Sequence, residues 1–195
     1  MEVWNFDSLE LVGGYHTEII GMPRCLETNQ GITVQFDGIG DALVLDTNPL
    51  AGLAEFTVEV VFQPFPNGQV EQRFFHMQES GSDRRVLFET RLTEDNQWFL
   101  DTFIQLDEEN YALFAEHHKH PLGPWYHAAI VVGDGLFRHY VNGMLELETP
   151  ISYLPLKEGQ TSLGVRLNRV CWYKGAIRTV QITPQVLPPT GFLAI

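Results

Sequence analysis

Lysine is nearly missing from this chain. Only Lys119, Lys157 and Lys174 occur, and the other basic residues are arginine. Twelve basic residues stand against 25 acidic ones, a formal charge of −13. Nucleic acid and anionic membranes bind through basic patches, so this balance excludes both as partners. Long apolar runs are also missing. None approaches the roughly 20 residues that a membrane helix needs, which excludes membrane insertion. The first residues lack the basic-then-apolar pattern of an export signal. The chain is therefore expected outside the cell or in the periplasm if a signal has been trimmed, and otherwise in the cytoplasm. Cysteine is limited to Cys25 and Cys171, with no CxxC pattern and no disulfide framework. The two pair only if the first and last thirds of the chain meet; otherwise they are free thiols. No segment carries a sustained helical period.

What is present is strand alternation. Tyr126, Ala128, Ile130 and Val132 alternate with His127, Ala129 and Val131, a strand with one apolar face. Gly133-Asp134-Gly135 supplies a tight hairpin loop, and Phe137, His139 and Val141 continue on the return strand. Asn142-Gly143 is a second hairpin turn, leading into Met144 to Leu147. Further strands are expected at residues 32–36, 42–45, 56–62, 73–78, 85–92, 98–106, 111–115, 161–167, 170–173 and 176–183. The segment from Gly13 to Gln30 is turn-rich and carries no firm strand pattern. Short strands at close spacing, without linkers or repeats, imply an all-β sandwich or jelly roll forming a single domain over 1–195.

One stretch also resembles a known family. The pattern W-x-H-x-A-x-x-x-x-D-G-x-x-x-x-Y-V-N-G over Trp125 to Gly143 is similar to the signature hairpin of laminin-G-like domains, within the concanavalin A-like lectin/glucanase superfamily. Four more blocks follow the family pattern in order: Val34 to Asp41, Glu55 to Glu59, Ser162 to Gly164, and Gly175 to Ile182. Together they span about 32–187. The resemblance implies a concanavalin A-like antiparallel β-sandwich, a fold that hosts lectins, adhesion modules, glycosidases and polysaccharide lyases, so function has to come from the site. Such domains often hold a structural calcium with an aspartate in the closing strand. Arg178 stands at that place here and cannot ligate a cation. No cofactor is therefore expected, and Asp37, Asp41 and Asp46 read as turn residues; the disfavoured alternative is a structural calcium held by these three with backbone carbonyls. The E-x-D-x-E strand of the hydrolase relatives is not found. Glu89-Thr90-Arg91 only partly echoes the R-x-E-x-R of alginate-lyase-like sandwiches.

Alternation also assigns faces. If Phe56, Val58, Val60 and Phe62 point inward, Glu59 points outward; likewise Phe88 and Leu92 send Glu89 and Arg91 outward. Leu100 and Ile104 send Asp101 and Phe103 outward, and Leu163, Val165 and Leu167 send out Arg166 and Asn168. If these strands share a sheet, Glu59, Glu89, Arg91, Asp101, Arg166 and Asn168 form a polar floor. His127 and His139 would stand beside it, with Trp172 and Tyr173 as an aromatic wall. The bland alternative is a solvated face with cross-strand ion pairs. Acidic residues on such a floor would repel a polyuronate. His117, His118 and His120 read as surface residues of a loop, not as a metal tract. The expectation is a non-catalytic binding module for a carbohydrate or protein ligand on the outer concave face of one sheet. The alternative is a glycan-active hydrolase or lyase using a non-standard Glu/Asp/Arg/His groove.

Overall fold

The computed structural model describes residues 1–28 and 30–194. Seventeen strands occur among them. In chain order they are β1 (Glu2–Asn5), β2 (Leu11–Val12), β3 (Tyr15–Ile20), β4 (Arg24–Thr28), β5 (Gly31–Asp37), β6 (Ala42–Leu45), β7 (Phe56–Pro64), β8 (Glu71–Glu79) and β9 (Arg85–Leu92). They continue with β10 (Gln97–Gln105), β11 (Asn110–Phe114), β12 (His120–Pro121), β13 (Tyr126–Gly133), β14 (Leu136–Val141), β15 (Met144–Pro150), β16 (Gly159–Leu163) and β17 (Lys174–Thr183). The first sheet runs β15-β14-β13-β7-β17-β5-β4, with β1 beside β17. The second runs β11-β10-β9-β8-β16-β6-β3-β2, with β12 beside β10. The strand pairs are antiparallel, and two stacked sheets make the expected sandwich.

The hairpin turns take the form their residues demand. Asp134 and Gly135 both have positive φ (54° and 71°), as do Asn142 and Gly143 (50° and 76°). Two successive residues in that region match the right-handed twist of the flanking strands. Other expectations shift. The strand read over 161–167 stops at Leu163, because Gly164 turns to φ 85°. Residues 170–173 are loop. The turn-rich segment left without strands holds β3 and β4. Both lie at or near sheet margins, where neither face is deeply buried and alternation fades. Asn29 of that segment lies outside the described residues.

The core is aromatic at its centre. Phe62 of the first sheet stacks on Phe74 of the second at 4.4 Å, and Trp98 meets Phe62 edge-on at 5.2 Å. Tyr173, expected on the ligand wall, packs against Phe36 and Phe74 instead and is fully buried. β8 carries a bulge between Arg73 and Phe75. The extra residue lets Phe74 and Phe75 both enter the core, and it resets the alternation on either side.

The chain after β17 folds back over the outer face of the first sheet. Thr57 Oγ1 donates to the Gln185 carbonyl at 2.8 Å and accepts from Leu187 N–H at 2.9 Å. Phe192 packs on His127 and Tyr140, at 5.4 and 5.2 Å between rings. One outer face is thus closed by the chain itself, while the outer face of the second sheet is left uncovered by this segment.

Replacing Phe74 with alanine removes the stacking partner of Phe62 and leaves a cavity between the sheets. The expected cost is about 3–5 kcal/mol of unfolding free energy, read as a lowered urea midpoint with an unchanged slope.

Candidate functional site

On β9, Val86 and Phe88 face the core, so Arg85, Leu87, Glu89 and Arg91 face outward. On β10 the same parity places Asp101 and Phe103 outward, and register sets Asp101 opposite Glu89. β11 adds Ala112 opposite Phe103 and Phe114 opposite Asp101. The bulge turns Arg73 of β8 to the same side, opposite Glu89. Arg166 arrives from the loop after β16. That loop is pinned where His76 Nδ1 accepts Leu167 N–H at 3.1 Å and where Arg73 N–H donates to the Cys171 carbonyl at 2.9 Å. These residues line one cleft of about 290 Å³. Arg91 also borders a second basin of about 760 Å³, walled by Asn67, Thr93, Asn96, Phe99 and Lys119.

The floor of the cleft is an ion-pair network. Arg91 Nε lies 2.9 Å from Glu89 Oε1, its Nη2 2.8 Å from Asp101 Oδ2, and its Nη1 2.5 Å from Glu71 Oε1. Arg73 Nε lies 2.7 Å from Glu89 Oε2 and its Nη1 3.0 Å from Glu71 Oε2. Both oxygens of Glu89 therefore face guanidinium groups. The Glu89 side chain is only 2% exposed. Burial, helped by the charge of Asp101, pushes its carboxyl up to about 7 against the pull of Arg73 and Arg91. Burial also raises Asp101, opposed by Arg91. The Arg91 guanidinium sits 6.0 Å from the centre of the Phe114 ring, and that of Arg85 sits 5.0 Å from Phe103.

Glu89, Arg91, Asp101 and Arg166 of the outward-facing set thus converge. The others do not join them. Glu59 and His127 lie on the first sheet under the folded-back chain end. Glu59 Oε1 is 2.9 Å from His127 Nε2 and accepts Leu193 N–H at 2.6 Å, while Oε2 accepts from Gln181 at 3.0 Å. Outward parity is right for Glu59, but its acceptor capacity is filled from within. His139 points into the sandwich, with Nδ1 2.9 Å from Thr102 Oγ1, and is fully buried. Asn168 is exposed and borders a separate depression with Gln78 and Gln160. Trp172 is half-buried in the loop beside Arg73, outside the residues that line the cleft. Arg73, Arg85 and Glu71 were not anticipated. Arg85 shares the parity of Glu89 and was readable from it. Arg73 was hidden by the bulge, whose signal is the adjacent pair Phe74-Phe75.

Among the described residues no group of three or more His, Cys, Asp or Glu side chains is arranged to hold a metal. Asp37 Oδ1 accepts the N–H groups of Ile39, Gly40 and Asp41, and Asp41 accepts those of Met22 and Asp37. Arg178 donates to Gln30 and to the Ala194 carbonyl. His120 Nε2 lies 2.7 Å from Glu146 Oε1. No helix among the described residues is long and apolar enough to cross a membrane.

Residues 37–190 match the family model described as the concanavalin A-like lectin/glucanases superfamily. No curated protein sequence matches the chain. Among solved structures, domain 4 of AbnA, a GH43 extracellular arabinanase from Geobacillus stearothermophilus solved in complex with arabinotriose, superposes with a TM-score of 0.72 at 18% identity, over 97% of this chain and 94% of that one. The botulinum neurotoxin serotype D binding domain gives 0.71 at 16% identity, over 97% of this chain and 48% of that one. The native heptameric SAP-like pentraxin from Limulus polyphemus gives 0.65 at 19%, over 80% and 77%. At these identities the likeness is one of fold.

Glu89 sets a pH dependence of stability. In the unfolded chain its carboxyl ionises near 4.5, whereas the folded chain keeps the proton up to about 7. Between those values the folded state binds more protons, so its contribution is full below about 4.5 and is lost as pH rises through 7. Comparing urea midpoints at pH 5 and pH 8, the wild type should lose on the order of 1–3 kcal/mol more than Glu89→Gln.

Proposed function

Because the chain belongs to the concanavalin A-like lectin/glucanases superfamily, we propose that it is a non-catalytic carbohydrate-binding module whose ligand lies on the outer face of the second sheet. The observation that carries this reading is the cleft built around Arg91. Planar carboxylate and guanidinium groups are held rigidly at its floor, and Phe103, Phe114, Leu87 and Ala112 give it apolar sides. Sugars are taken up by such mixed surfaces, with hydroxyls on planar polar groups and ring faces on aromatic ones. The complex of the arabinanase domain with arabinotriose is in keeping with a sugar ligand for a domain of this shape. The basin beyond Arg91 supplies room for a second sugar unit along the same face.

A catalytic reading has one observation in its favour, the carboxyl of Glu89 near neutrality and facing Asp101 across the strand pair. Against it, a nucleophile or general acid needs an oxygen open to substrate, and the Glu89 side chain is 2% exposed, with Arg73 Nε 2.7 Å and Arg91 Nε 2.9 Å from its carboxyl oxygens. Binding is the reading the geometry favours.

On a glycan array followed by calorimetry, the protein should retain at least one oligosaccharide. Phe114→Ala, a change at an exposed ring, should weaken that binding about 3- to 10-fold without lowering the melting temperature. Asn168→Ala, outside the cleft, should leave it unchanged. An array without hits, together with no retention by any cell-wall polymer, would sink the proposal.

A further inference from the structure

One end of the cleft has more donors than acceptors. Arg85 Nη1 donates to the Asp83 carbonyl at 2.7 Å, but its buried Nε has no partner. Arg166 lies beside it, and among the described residues neither guanidinium has a carboxylate within the 4.0 Å of an ion pair. Their positive charges reinforce one another: burial, then Arg166, then Arg73 hold Arg85 below the usual arginine range, opposed by Asp83. His76 stands next to them, fully buried. Its Nδ1 accepts Leu167 N–H, so the proton is on Nε2, which also has no acceptor. Burial and the surrounding arginines keep this ring neutral, down to about 3. The chain carries 25 acidic residues, yet the nearest acidic influence on Arg85, Asp83, forms no ion pair with it. The three acids of the floor, Glu71, Glu89 and Asp101, lie in ion pairs with Arg73 and Arg91, and neither Arg85 nor Arg166 joins them, so four guanidinium groups stand against three carboxyl groups.

We infer, building on the carbohydrate reading of this cleft, that the sugar seated at its Arg85–Arg166 end carries one acidic group, a carboxylate or a sulfate ester, to whose oxygens these two guanidinium groups donate. An arginine fork suits such an oxyanion, and charge-assisted hydrogen bonds are about twice as strong as neutral ones. The stacking of Arg85 on Phe103 and the tethering of the Arg166 loop to His76 fix the donors before the ligand arrives. The repulsion of uronates expected from the acidic residues of this face is offset once Arg73, Arg85, Arg91 and Arg166 are counted together against Glu71, Glu89 and Asp101. A cleft of about 290 Å³ is at the small end for ligand sites, so a single acidic ring fits it better than a long polyanion.

The test is calorimetric titration with three probes: a galacturonate trisaccharide, its carboxyl-reduced neutral form, and a galactose trisaccharide bearing one sulfate ester. The acidic probes should bind about 10-fold or more tightly than the neutral one, and whichever of the two binds better identifies the acidic group. Arg166→Gln, in a loop, should reduce that preference to about 3-fold or less, as should Arg85→Gln. Phe114→Ala should weaken all three probes alike. Equal binding of acidic and neutral probes by the wild type, or a preference that survives both arginine changes, overturns the inference and leaves the carbohydrate reading standing. If no probe binds and the glycan array is also empty, both fall.

Discussion

The open face of this sandwich depends on the contact between Phe62 and Phe74. That stack joins the sheets at the centre of the core, and β8 accommodates it by bulging. Without the extra residue, the pleat of β8 would keep one parity throughout, and Phe74 and Phe75 could not both point inward. With it, Arg73 on one side of the bulge and His76 on the other both lie on the outer face. Arg73 then reaches Glu89, and Glu89 is held from two sides. A packing requirement in the core thus decides which charges meet on the surface.

The network that results is costly to assemble in the absence of good geometry. Charges taken out of water lose several kcal/mol of hydration each, and the attraction between them repays this only where lone pairs and protons are matched. Arg91 spans Glu71, Glu89 and Asp101, and Arg73 spans Glu71 and Glu89, so each carboxylate meets at least one guanidinium. Glu89 nonetheless retains a raised carboxyl, because burial and Asp101 together outweigh the two arginines. A well-packed apolar patch would serve stability as well or better. The proposed binding role accounts for the arrangement: long side chains are fixed in advance, so little ordering would remain for a ligand to impose.

Much of the fold was legible because its signals are local. Asp134-Gly135 and Asn142-Gly143 fix their turns by positive φ, and strict alternation along β7, β9, β10 and β13 fixes which residues enter the core. The convergence of Glu89, Arg91 and Asp101 follows from that alternation once the strands pair. The remainder depended on events that alternation does not record. A doublet of phenylalanines reversed the parity of β8 and concealed Arg73. Gly164 ended β16 early, so Arg166 reached the cleft from a loop and Asn168 turned elsewhere. β3 and β4 were missed because marginal strands bury little on either face. Glu59 and His127 were given the right face but the wrong surroundings, since nothing in the period of β7 tells that the end of the chain will cover it.

That last pair shows what separates a structural polar group from one available to a partner. Glu59 and Glu89 are both carboxylates on outward-facing positions of central strands, and both are almost wholly buried. Around Glu59 the protein supplies the donors itself, from His127, Gln181 and the backbone of Leu193, and the chain end seals the site. Around Glu89 the imbalance runs the other way. Four arginines gather there against three acids, and among the described residues neither Arg85 nor Arg166 has a carboxylate within ion-pair distance. Burial and charge alone would rank the two sites alike. The accounting of donors against acceptors distinguishes them, because an unmatched buried donor has a cost that only something outside the chain can relieve. The proposed binding face is one on which this chain leaves buried donors, Arg85 Nε and His76 Nε2, without a partner.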